Sequence, residues 1–111
     1  MSYLPGLSQS TPPDVTITLL TTALATPCTG GAAAPSRYLV GVINNSLAAQ
    51  ACTVLIYDNP SAASGNIIAS IGPLGVSQVI TFPGGGIKLA NGATAIASAA
   101  PNGAGIQILT R

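Results

Sequence analysis

Apolar and polar residues alternate with a period of two wherever the chain has any period, and turn residues interrupt the alternation at intervals of roughly eight to twelve residues, the spacing of an all-β sandwich or barrel. No stretch carries the i, i+3, i+4 pattern of an amphipathic helix. Residues 15–20 (VTITLL) predict a first strand, with Val15, Ile17 and Leu19 on one face and threonines on the other, where β-branched side chains suit a pleated surface. Residues 21–36 contain prolines and paired glycines and predict a long connection that crosses between sheets. The two strongest strands are Tyr38–Asn44, with Tyr38, Val40 and Val42 on the core face, and residues 52–58. The short segment 45–50 between them predicts that these two strands pair antiparallel.

Further along, Ile67–Ile71 predicts a short strand, and residues 76–82 another, with Val76, Gln78, Ile80 and Phe82 on one face until Pro83-Gly84-Gly85-Gly86 ends it. Asn91-Gly92 is a preferred pair for a two-residue type I′ turn and predicts a hairpin that sets Leu89 opposite Thr94 and Ile87 opposite Ile96. Ile106–Thr110 closes the chain as a final strand. About eight strands in so short a chain predict one antiparallel β-sandwich, jelly-roll or Ig-like, over residues 14–111. Residues 1–13 stand apart, because Tyr3, Leu4 and Leu7 lie among prolines, glycine and serines without period. They predict an extended N-terminal arm whose partner-binding anchors are Tyr3, Leu4 and Leu7, with proline lowering the entropy lost on docking.

Composition changes the picture most through charge. The 111 residues carry five charged side chains, Asp14, Arg37, Asp58, Lys88 and Arg111, and no histidine, so 5% of the chain is charged where roughly 25% is usual. Acid–base catalysis, metal ligation and phosphate clamping all need convergent ionisable groups, and the supply is nearly nil, which predicts a protein that is not an enzyme and has no metal or cofactor. Asp14 follows two prolines and Asp58 opens Asp58-Asn59-Pro60, positions where aspartate caps local backbone amides. Gly84-Gly85-Gly86 lacks the Lys-Ser/Thr and helix of a phosphate loop.

Three scattered basic residues cannot release the counterions that drive nucleic-acid binding, and no apolar run approaches the ~20 residues of a membrane helix. The opening MSYLPG has neither a basic n-region nor an apolar h-region, so no signal peptide is expected. Cys28 and Cys52 are expected as free thiols, since a cytosolic site of synthesis keeps them reduced. Lys88 reads as a strand charge that discourages edge pairing. Tyr57, beside the 61–65 loop, is the best exposed aromatic for stacking on a sugar ring. Valine, isoleucine, leucine and phenylalanine make up 29 of 111 residues, enough to fold, but the 18 alanines bury little area and contacts with neighbouring subunits would help.

The order of these elements resembles the small β-sandwich virion proteins of tailed bacteriophages. The resemblance rests on Tyr57-Asp58 followed by Ser61-Ala62-Ala63-Ser64-Gly65, on Gly86-Ile87-Lys88, on Asn91-Gly92 and on the closing Ile106–Thr110, and spans residues 38–111. Ala93-Thr94-Ala95 stands where an aromatic residue or leucine usually follows the turn. This resemblance implies a capsid decoration, or cement, protein, commonly oligomeric and often trimeric. It would be made in the host cytoplasm, act in the virion, and have the major capsid protein or another virion protein as partner. A receptor- or glycan-binding module of a head fibre, neck or tail is the alternative it leaves open.

Overall fold

The computed structural model describes residues 15–28 and 38–111, which form an all-β sandwich. Nine strands follow in order: β1 (Thr16–Leu20), β2 (Thr26–Pro27), β3 (Tyr38–Asn44), β4 (Val54–Tyr57), β5 (Ile67–Ile71), β6 (Val79–Thr81), β7 (Ile87–Lys88), β8 (Thr94–Ala97) and β9 (Ile106–Thr110). One sheet has five strands in the order β1-β9-β3-β6, with β7 also on β3, and the other has four in the order β2-β8-β4-β5. All the pairings are antiparallel. The N-terminal arm, with Tyr3, Leu4 and Leu7, lies outside the described residues.

Two predicted pairings do not form. β3 and β4 sit in opposite sheets, because each is a central strand with neighbours on both sides: β3 bonds β9, β6 and β7, whereas β4 bonds β5 and β8. Pairing them with each other would leave their most apolar faces competing for one layer. Instead Leu39 and Val42 face Val54 and Ile56 across the core, all four essentially without solvent exposure. The predicted Asn91-Gly92 hairpin is likewise absent. Ile87 and Lys88 bond Leu39 and Tyr38 in the five-stranded sheet, while Thr94–Ala97 enters the four-stranded sheet between β2 and β4. Residues 89–93 therefore cross the sandwich, and β8 gains ladders on both sides where a hairpin would supply one.

Alternation within strands also shifts. The ladder between β3 and β9 slips between Leu39 and Gly41, so the inward face passes from Leu39 to Val42, and Tyr38 and Val40 are half-buried rather than core residues. A bulge inserts one unpaired residue and reverses the period beyond it. The expected strand over 76–82 shortens to Val79–Thr81, because Ser77 takes a left-handed conformation (φ 52°) and the Gln78 side chain turns back to accept the Gly75 N–H at 2.7 Å.

Leu20, Leu39, Val42, Val54, Ile56, Ile106 and Ile108 form the centre of the core, joined by the buried Ala95 and Ala97 of β8 and by Ala93 just before it. Both cysteines are buried free thiols within this cluster. At one end of the sandwich a buried amide network closes the loops. Asn44 donates to the Ala48 and Gly75 carbonyls at 2.9 and 2.7 Å, and its Oδ1 accepts from the Ser46 N–H at 3.2 Å and the Gln50 side chain at 2.9 Å. Gln50 in turn accepts the Asn102 N–H at 2.6 Å and donates to the Asn102 carbonyl at 3.0 Å. Three loops distant in sequence are thus joined by polar groups that are all hydrogen-bonded.

Candidate functional site

The five-stranded sheet turns an apolar face to solvent. Register places Ile17, Leu109, Gly41 and Thr81 in one transverse row, and Leu19, Gln107, Ile43 and Val79 in the next. Ile17 is 57% exposed, Leu19 47% and Val79 56%, while Ile43 and Leu109 are half-buried. The β1 pattern hid this arrangement. Its threonine face turns inward over Ile108 and Thr110, and the isoleucine–leucine face, which composition would assign to the core, turns outward. Alternation separated the two faces of residues 16–19 without marking which of them turns inward.

Among the described residues, the charged side chains Lys88, Arg111 and Asp58 lie at one end of the molecule. Lys88 pairs with Tyr38, and the backbones of Tyr38 and Arg111 exchange hydrogen bonds of 2.7 and 2.9 Å. The Arg111 guanidinium lies over the Tyr38 ring, 5.6 Å from its centre, within cation–π range. Asp58 lies at that end too. Its carboxylate accepts the N–H groups of Asn91 (2.8 Å), Ala90 (3.2 Å) and Gly92 (3.3 Å), fixing the crossover from β7 to β8. The amides that Asp58 caps are not the local ones its turn position predicts but lie more than thirty residues away in sequence.

A second apolar surface lies on the outside of the four-stranded sheet. Thr53, Leu55, Tyr57, Ala63, Ile96, Ala97 and Ser98 line an open groove of about 240 Å³. Leu55 and Ile96 are cross-strand neighbours that form its floor, and Ala63 brings the 61–65 loop to its edge beside half-buried Tyr57. Asn59 holds that loop by accepting the Ser61 and Ala62 N–H groups at 3.0 and 2.9 Å and donating to Ser64. The groove contains no charged side chain, so it suits a neutral ligand or an apolar side chain.

Among the described residues no three His, Cys, Asp or Glu side chains gather as a metal site. Among the described residues, Cys28 is the group with a displaced pKa. Burial pushes its thiol up to about 11, against the lowering effect of hydrogen bonds with Thr18 and the Ala95 backbone, so the sulfur is a protonated packing group at neutral pH. Lys88 is exposed on an edge strand, as its predicted role requires. Comparison with known proteins adds no relative: no protein-family model, no curated protein and no solved structure matches the chain.

Proposed function

We propose that the chain is a non-enzymatic structural protein of a tailed-phage virion, which decorates the capsid and stabilises it through subunit contacts. The observation that carries this reading is the exposed, uncharged face built from Ile17, Leu19, Ile43, Val79 and Leu109. Contiguous apolar surface of this kind marks interaction sites, because water leaves it at little electrostatic expense. Many copies, each adding contacts that must break before a shell can expand or burst, would shift the stability of the whole particle by mass action. The arm residues Tyr3, Leu4 and Leu7 are proposed as additional anchors on the capsid. Imaging of particles with and without the protein tests the reading. Added density on the shell and a higher bursting temperature are expected, and equal bursting with no bound protein would refute it. Removing residues 1–13 tests the arm separately, with weaker decoration expected.

The groove at Tyr57 favours a second reading, a glycan-binding module of a fibre, neck or tail. It is neutral, has an aromatic ring at its edge and sits beside the Thr53 and Ser98 hydroxyls, features that suit a sugar ring. A glycan array with the native chain and Tyr57→Ala distinguishes the two. Specific binding lost in the variant would favour the second reading, and an array without signal would leave coating as the sole role.

A further inference from the structure

We infer that Asn102-Gly103 is a self-modifying site, where the folded chain promotes loss of ammonia from Asn102 through a cyclic imide, while the second Asn-Gly pair, Asn91-Gly92, is held inert. The inference stands apart from the coat-protein reading and does not rest on it. Glycine after asparagine lets the next backbone nitrogen approach the side-chain carbon closely, because there is no Cβ to hinder it. The Gly103 nitrogen loses its proton to hydroxide, and its electron pair forms a bond to Asn102 Cγ. The Cγ–Nδ2 bond breaks, and Nδ2 leaves as ammonia with a proton taken from water. Water then opens the imide at either carbonyl, giving aspartate or isoaspartate.

What separates the two pairs is the charge that forms when the glycine nitrogen is deprotonated, which is shared with the oxygen of the preceding carbonyl. The Asn102 carbonyl accepts three hydrogen bonds, from Ser46 Oγ and Gln50 Nε2 at 3.0 Å each and from the Gly105 N–H at 3.2 Å. Donors aimed at an oxygen where negative charge develops stabilise that charge. Gly103 is exposed, and among the described residues its N–H has no hydrogen-bond partner, so base reaches it. The Asn102 side chain is equally open, with Nδ2 donating to the carbonyl of exposed Ala49 at 3.1 Å. Asn91-Gly92 has the opposite surroundings. Gly92 is buried against Pro60, and its N–H donates to Asp58 Oδ1 at 3.3 Å, so a carboxylate faces the nitrogen that would have to become negative.

Either product loosens the end of the sandwich that the amide network closes. Aspartate places an oxygen opposite the Ala49 carbonyl, acceptor against acceptor, where the amide had donated. Isoaspartate runs the main chain through Cβ and Cγ, which lengthens the loop and turns the carbonyl bonded by Ser46 and Gln50 into a free carboxylate. Each also adds a negative charge to a chain whose formal net charge is +1. The reaction is thus a slow timer on the loops joined through Asn44 and Gln50, and leaves the apolar core alone.

Incubation of the full chain in mildly alkaline buffer, followed by tandem mass spectrometry of the tryptic peptide 89–111, which holds both pairs, tests the inference. Asn102 is expected to show the mass gain of an amide-to-acid exchange about tenfold or more faster than Asn91, since one unit in the acidity of the nitrogen changes the reactive anion by that factor. In urea the two pairs should react alike, because the surroundings that separate them are gone. Ser46→Ala should slow Asn102 by about fivefold through loss of one donor to its carbonyl. Asp58→Asn, which removes the charge and keeps an acceptor, should speed Asn91 and leave Asn102 unchanged, and it provides the test if Ser46→Ala misfolds. An intact Asn102, or an Asn91 that reacts as fast in the folded chain, overturns the inference. A Ser46→Ala chain that reacts faster than the native one overturns it too, and makes loop mobility rather than the three donors the cause.

Discussion

Asn44→Ala provides the sharpest test of how the sandwich is closed. Asn44 is 1% exposed and makes four hydrogen bonds, to the Ala48 and Gly75 carbonyls, the Ser46 N–H and the Gln50 side chain. A typical intramolecular hydrogen bond contributes a net ~1 kcal/mol, and a buried group left without a partner loses about 1–3 kcal/mol. Ala48 and Gly75 are exposed residues whose carbonyls water can reach, whereas Ser46 and Gln50 are buried and have no such relief. The expected loss is therefore about 3 kcal/mol, a large part of the ~5–15 kcal/mol that holds an ordinary domain together. With a urea slope of roughly 1–3 kcal/mol/M, the unfolding midpoint should fall by about 1 M or more at constant slope. Gln50→Ala alone should be milder, and the double variant should lose less than the two single losses combined, because the residues share one bond and one network. A loss below about 1 kcal/mol, or strict additivity of the two changes, would show that the network is incidental and that apolar packing alone fixes this end.

Three further outcomes are expected. Asp58→Ala should cost about 2 kcal/mol, since a half-exposed carboxylate bonded to three amides is lost from the crossover, and Asp58→Asn should cost less because one acceptor oxygen survives; thermal unfolding reads both. Gly86→Ala should destabilise by about 2 kcal/mol or more, because φ is 114° and the new Cβ would stand 2.5 Å from the Leu39 carbonyl oxygen, a clash that urea unfolding would detect and a midpoint within error would disprove. Cys28 gives a pH dependence: its thiol pKa is raised from 9.0 to about 11 in the folded chain, so the folded state holds that proton more tightly. The stabilising contribution is complete below pH 9 and is lost as pH rises toward 11, so urea midpoints should fall across that window in the native chain and fall less in Cys28→Ala.

What the chain determines by itself is local. Period-two alternation located Tyr38–Asn44, Ile67–Ile71 and Ile106–Thr110 at their observed bounds, and the regular spacing of turn residues between strands pointed to a β-sandwich. Asn59 behaves as turn chemistry demands, binding the Ser61 and Ala62 amides with its side-chain oxygen. An exposed Lys88 was legible for the same reason, since it depends on the residue and its immediate strand, whereas the free thiols were expected from a reducing site of synthesis.

Partners are another matter, because alternation marks a face without saying which strand lies beside it. The two strongest strands were neighbours in sequence, yet they became the central strands of opposite sheets, where each gains hydrogen bonds on both sides. Asn91-Gly92 had the chemistry of a tight hairpin, and the distant Asp58 carboxylate drew it instead into a crossover. A single slipped residue between Leu39 and Gly41 moved Tyr38 and Val40 off the core face, and the fit of the two sheets turned Ile17 and Leu19 outward. Sequence set the conformation each segment prefers. Only the closed sandwich, by counting backbone hydrogen bonds and apolar burial over the whole molecule, selected which neighbours those segments have and which apolar face remains uncovered.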